Sequence, residues 1–231
     1  MDKTTTLAEA KYSHLTFNAP LSNVHADSLL THLQLTSTTT LVDLGCGWGE
    51  LLLRVAWRSC NTQPGTQTGV DTDAAALLRG REAAIRRKLR NVEFIEQPAA
   101  DFQGARDRAI CIGSSHALGG SRAMLKRLAE IVPRGGRALV GDMCWEREPT
   151  KAALASFGEE VLMLKDLVGM CRAEGWEVLH LSTADQREWD EFESGHRAGL
   201  REWFLANREH PKAAEVKMQH DEREMEYLGS W

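Results

Sequence analysis

An α/β fold built on a mainly parallel sheet is predicted by three observations. Short apolar runs alternate with segments of helical period between Thr40 and Thr183. The connections between those runs are too long for hairpins, so successive strands run parallel and need helices over both faces. The first run, "LVDL", ends near an acid and passes into "GCGWGE", where Gly45, Gly47 and Gly49 alternate before an amphipathic stretch. Open α/β sheets bind ligands at such turns, beyond the carboxyl ends of their strands.

Val24 to Leu35 reads as a helix ended by the polar run "TSTTT". A strand follows at Thr40–Leu44, then a helix at Glu50–Ser59, and "NTQPGTQ" is a turn. Thr68–Asp71 closes a second strand. Asp73 is placed to cap the helix "AAALLRGREAAIRRKL", because its carboxylate can accept from free N–H groups of the first turn. Val92–Glu96 is a third strand and Arg108–Gly113 a fourth. The helix "SRAMLKRLAEIV" stops at Pro133, and the "PRGG" turn leads to a fifth strand, Arg137–Asp142. One helix is expected from Thr150 to Ala173, with "WEVLHLST" as a sixth strand after Gly175. From Ala184 the pattern is helical, and Trp189, Phe192, His196, Leu200 and Trp203 fall near one face. That stripe reads as packing or as a homodimer surface. The expected organisation is a single domain: N-terminal lid and helices (1–36), core (37–183) and helical C-terminal segment (184–231).

The 231 residues are enough to bury a full core, and 42% hydrophobic with 26% charged residues is ordinary for a globular chain. A formal charge of −5 argues against a nucleic-acid binder, and Arg79–Arg90 reads as the solvated basic face of a helix. No apolar stretch approaches the ~20 residues that span a membrane. Five scattered cysteines without a CxxC pair argue against disulfides and structural zinc, and fit a reducing cytoplasm. The eight histidines are dispersed, so no metal site is expected.

The glycine spacing differs from the dinucleotide fingerprint, and Asp43 would repel a pyrophosphate. A carboxylate there suits a ligand with a positive end and no phosphate, such as S-adenosylmethionine with its ammonium and sulfonium. Asp71 ends the second strand, where an acid can accept from both ribose hydroxyls.

The motifs "VDLGCGWGE", "GVDTD" and "PRGGRALVGD" closely resemble those of class I S-adenosylmethionine-dependent methyltransferases, over roughly Ala19 to Thr183. More narrowly, "NAPLS", "LGCGWGELLLR", "IGSSHALGG" and "GDMCWEREP" resemble a bacterial group of small-molecule methyltransferases. The resemblance implies a Rossmann-like, doubly wound sheet of order 3-2-1-4-5-7-6 with an antiparallel seventh strand. It also implies that Gly45, Cys46 and Gly47 pack against the methionine part and ribose of the cofactor. Asp43 would orient its amino group, Asp71 would hold the ribose, and Thr72 would lie against the adenine. Ala99, through its backbone, and Gly113 complete the implied cofactor contacts. Two departures stand out. Pro98 occupies the place where many relatives carry an acid for the adenine amino group. Relatives also continue past a "YL-G-W" stretch into a final apolar strand, so either the sheet lacks that strand or the chain is a shortened one.

Methyl transfer from a sulfonium is an in-line displacement that asks mainly for alignment and a dry cavity. His116, in "GSSHALGG" beyond the fourth strand, can act as general base, as a substrate contact or as a purely structural residue. "GSSH" replaces the "[D/N]PP[Y/F]" tetrapeptide of adenine and glutamine methyltransferases, which disfavours those acceptors. Trp145 and Glu146 can line the acceptor pocket or serve as core and loop. Tyr12 and His14 can contact substrate from a lid segment. The expected activity is therefore methylation of a small molecule. The alternatives are a non-catalytic S-adenosylmethionine binder, a methyltransferase acting on protein or RNA, and, third, a nicotinamide dehydrogenase.

Overall fold

The computed structural model describes residues 6–59, 65–158 and 161–230. Residues 61–64 of the expected turn, together with Cys60 and Trp231, lie outside them. In chain order the elements are α1 (Leu7–Lys11), α2 (Asn23–Thr31), β1 (Leu41–Leu44), α3 (Glu50–Arg58), β2 (Gln67–Asp71), α4 (Ala74–Arg86), β3 (Val92–Glu96), β4 (Arg108–Ile112), α5 (Ser121–Ile131) and β5 (Arg137–Gly141). There follow β6 (Cys144–Trp145), α6 (Lys151–Phe157), β7 (Leu162–Met163), α7 (Leu164–Ala173), α8 (Gln186–Ala206) and α9 (Ala213–Ser230). Short 3-10 turns stand at Ala99–Asp101 and Ser115–Leu118. The residues cluster into two compact units.

The larger unit comprises Asn23–Glu148 and Glu160–Ser182. Its sheet has the order β3-β2-β1-β4-β5, and every neighbouring pair is parallel. All four residues of β1 are buried, as expected of a central strand covered on both faces. On one face Val42, Leu44, Val70, Cys111, Met124 and Leu128 share a core. On the other, the Phe94 ring fills the space left by three glycines. A Cβ would come within 2.5 Å of it at Gly49, 3.0 Å at Gly69 and 2.8 Å at Gly80. Asp73 caps α4 as expected, accepting from the N–H groups of Ala75 and Ala76 at 3.0 Å.

Three expectations need correction. The single helix from Thr150 to Ala173 is two helices. Thr150 caps α6, Gly158 at φ +86° ends it, and Leu162–Met163 then pairs in parallel with Cys144–Trp145 before α7 begins. "WEVLHLST" is not a strand. Trp176 and Val178 still turn to the core while Glu177 and Leu179 face solvent, so the alternation is kept without a ladder. In the order 3-2-1-4-5-7-6 a sixth strand pairs only through an antiparallel seventh, and no described residues form one. The sheet is accordingly five-stranded among the described residues.

The smaller unit comprises Met1–Ser22, Pro149–Glu159 and Thr183–Trp231. A capping box of Thr6 and Glu9 starts α1. That helix packs against α8 so closely that a Cβ at Gly199 would stand 2.0 Å from the Ala10 carbonyl oxygen. Ala10, Leu200, Trp203 and Val216 form the apolar core of this unit. The α8 N-terminus is held by a second capping box, Asp185 with Glu188. The Glu188 carboxylate also accepts from the Ser22 N–H at 2.7 Å.

Candidate functional site

The site is assembled where β1, β2 and β4 end side by side. Asp43 lies in β1 with Gly69 and Ile110 as register partners and is 4% exposed. Burial, and then the nearby Asp71 carboxylate, push its carboxyl up to about 8. No cation contributes to that shift. The buried acid is thus mostly protonated at neutral pH, and a positive ligand group would draw it into its ionised form.

The glycine turn is stitched to the end of β2. The N–H groups of Gly45 and Cys46 both donate to the Val70 carbonyl, at 2.8 and 3.0 Å, and Gly49 donates to Cys46 at 2.8 Å. Gly45 sits at φ +72°, where an L side chain is strained, and a Cβ there would lie 2.3 Å from Ser114 Cβ. The Ser114 hydroxyl donates to the Gly45 carbonyl at 3.1 Å, tying the loop after β4 to the turn after β1. At Gly47 and Gly113, by contrast, nothing lies within 4 Å of where a Cβ would stand.

Asp71 joins the turn to α4. Its Oδ2 accepts from the Gly47 N–H at 2.7 Å, and its Oδ1 accepts from the Asp73 N–H at 2.9 Å. A carboxylate has about four lone-pair sites, so roughly two remain for further donors. Cys46 is not a nucleophile here. Burial, with Asp43 and Asp71 close by, pushes its thiol far above the usual range.

Asp43, Gly45, Cys46, Gly47 and Asp71 are therefore brought together, with Gly113 reached through its neighbour Ser114. Thr72 follows Asp71 and is exposed; Ala99 is buried in the 3-10 turn after β3, in the same core as Val70. His116 is exposed in the turn after β4, and Trp145 is half-buried in β6. Tyr12 and His14 belong to the smaller unit. The Tyr12 ring makes an edge contact with His196, and His14 Nε2 stands 3.1 Å from Glu202 Oε2.

Two residues at the strand ends escaped the sequence reading. Ser114 was visible only as part of "GSSH", and its contact with Gly45 needs the parallel pairing of β1 with β4. Asp142, just after β5, accepts from the Ser121 hydroxyl at 2.5 Å and from the Met143 N–H at 3.0 Å. An acid directly after a strand is a signal that could have found it.

The model of the methyltransferase-domain family matches residues 35–195, and the chain belongs to that family. It is 31% identical over 196 residues to the uncharacterized protein YjhP of Escherichia coli, covering 80% of this chain and 76% of that one. The X-ray structure of YjhP superposes with a TM-score of 0.86 at 26% identity, over 96% of this chain and 93% of that chain. A SAM-dependent methyltransferase from Thiobacillus denitrificans, solved with S-adenosyl-L-homocysteine, gives a TM-score of 0.87 at 26% identity, over 100% and 94%. Its counterpart from Geobacter sulfurreducens, also solved with S-adenosyl-L-homocysteine, gives 0.87 at 25%, over 96% and 91%.

Proposed function

We propose that this methyltransferase binds S-adenosylmethionine at the β1 turn and methylates a small-molecule acceptor. The observation that carries the reading is a buried acid without a cation, Asp43, beside a half-used carboxylate, Asp71, under open space at Gly47 and Gly113. Such a donor set fits the cofactor. Asp43 meets a cationic amino group, and the free lone pairs of Asp71 accept from a ribose diol. Gly45, Cys46, Gly47 and Gly113 allow close backbone approach, and Thr72 and Ala99 flank the adenine. When bound, the cofactor supplies an electrophilic methyl group on a sulfonium. His116 takes the acceptor's proton or contacts the acceptor, and Trp145 shapes the same side.

A small acceptor is supported by where the basic run of α4 spends its charge. The Arg79 guanidinium stacks on Trp48 at 4.1 Å, Arg81 donates to the Phe94 carbonyl and Arg87 pairs with Glu50 at 2.7 Å. These cations serve the fold rather than a row of phosphates.

Calorimetric titration with S-adenosylmethionine, S-adenosylhomocysteine and NADH tests the site, with Asp71→Ala in parallel. Binding of both sulfur nucleosides, weakened at least about tenfold in the variant, is the expected result. NADH binding, or no binding by folded protein, would overturn the reading. Acceptors are then screened by S-adenosylhomocysteine release. His116→Ala should lower kcat about 10²–10⁴-fold if His116 is the base, and raise the acceptor KM instead if it is only a contact.

A further inference from the structure

The buried seam between α8 and α9 changes character along its length. At one end Leu200, Trp203 and Val216 join Ala10 in an apolar core. A turn further on, His196 faces His220 with ring centroids 5.7 Å apart. The next turn carries Glu193, which takes Arg223 in a two-point pair at 2.8 and 3.0 Å. His196 is 4% exposed and touches the rings of Tyr12 and Phe192, both at 6.4 Å between centroids.

Nδ1 of His196 and Nδ1 of His220 are both shut off from solvent with no hydrogen-bond partner among the described residues. A neutral imidazole tolerates one idle nitrogen. An imidazolium carries N–H donors on both and needs an acceptor at each. The groups facing the pair are Lys11 of α1 and Tyr12 at its C-terminal cap, Glu193 and Arg201 from α8, and Asp221 and Arg223 from α9. Glu193 is held by Arg223, and Asp221 by Arg201 and Lys217, so both carboxylates already have cations.

We propose that the His196–His220 layer is an acid-sensitive latch. Protonating either ring in place puts an unmatched cation into the seam and frees the α8–α9 hairpin before the β1–β5 sheet loosens.

Burial, then Arg223 and Lys11, push His196 down to about 4, and burial with Arg223 moves His220 the same way. An unfolded imidazole takes its proton near 6.5. The stability owed to a neutral His196 is therefore complete above about pH 6.5 and drains away as pH falls to about 4, and His220 adds a loss of the same sign below about 6.5. His196 can raise the opening constant up to about tenfold per pH unit in that window.

Hydrogen exchange of the full chain between pH 7.5 and 4.5, corrected for intrinsic exchange rates, reads the opening of each element. The opening constants of α8 and α9 should rise at least about tenfold between pH 6.5 and 4.5, with those of β1–β5 lagging well behind. His196→Phe with His220→Phe keeps ring volume and removes the titration, and should flatten the rise. The same rise in the folded double variant would overturn the latch. If that variant does not fold, an NMR titration of the His196 ring in the unmodified protein decides. A midpoint well below 6 upholds the latch, and one at or above 6.5 overturns it.

Discussion

Among the described residues Asp43 and Glu193 are the most deeply buried carboxylates, at 4% and 5% exposed, yet they sit in opposite circumstances. Glu193 already has its cation, a partly solvated guanidinium that meets both oxygens. Asp43 has another acid for a neighbour and no cation among the causes of its shift. A buried acid closed on its own cation completes the structure around it. A buried acid left without a cation is a candidate to meet one on a ligand. On the proposed function, the difference separates a region that is finished by folding from one that would be finished by binding.

The sharpest way to break the second region is steric. Gly45→Ala should cost about 3 kcal/mol or more in denaturant unfolding, because a Cβ there meets Ser114 at 2.3 Å and the backbone is left-handed. Adding Ser114→Gly should recover the clash and leave the ~1–2 kcal/mol of backbone strain. The first region breaks electrostatically. Arg223→Met strands Glu193 and should cost about 2–3 kcal/mol, less than a fully buried pair because the guanidinium is partly solvated. Glu193→Gln in the same chain should return much of it, and urea titrations of the three variants measure the recovery.

The pH response of Asp43 sharpens the contrast further. Its folded carboxyl titrates near 8 against about 3.9 unfolded, so its contribution to stability is present at low pH and is lost as pH rises through about 8. A cationic ligand favours the ionised acid and expels its proton. Affinity for S-adenosylmethionine should therefore climb by up to about tenfold per pH unit as pH rises toward 8, and Asp43→Asn should flatten the climb. Calorimetry in buffers of different ionisation enthalpy counts the proton released. The smallest effect is expected at the α8 cap, where Asp185→Ala should cost about 1 kcal/mol in thermal or urea unfolding.

The five sheet strands were legible to within a residue or two because each is an apolar run between turn residues. The Asp43–glycine–Asp71 constellation was legible too, since it is local to two strand ends. What stayed hidden depends on partners distant in sequence. The β6–β7 pair joins residues 18 positions apart, from Cys144 to Leu162, and its two-residue strands carry no periodicity. "WEVLHLST" has the alternation of a strand, but a ladder needs a neighbour that the segment itself cannot announce. The His196–His220 layer looked like part of an aromatic stripe, because spacing on α8 says nothing of what α9 sets opposite. The Ser114–Gly45 contact was invisible for the same reason.

The Phe94 ring, wedged against Gly49, Gly69 and Gly80, is one of several bars that hold three codons fixed. Each glycine alone is barred from becoming alanine while that ring stays. A smaller residue at position 94 would remove only part of each bar, because a Cβ at Gly69 would still meet Leu52 at 2.8 Å and Cys46 at 2.9 Å, one at Gly80 would meet the Trp48 carbonyl oxygen at 2.8 Å, and Gly49 would keep its left-handed backbone. The three glycines should thus outlast the phenylalanine, and an alignment of many such chains would show position 94 varying while positions 49, 69 and 80 stay glycine.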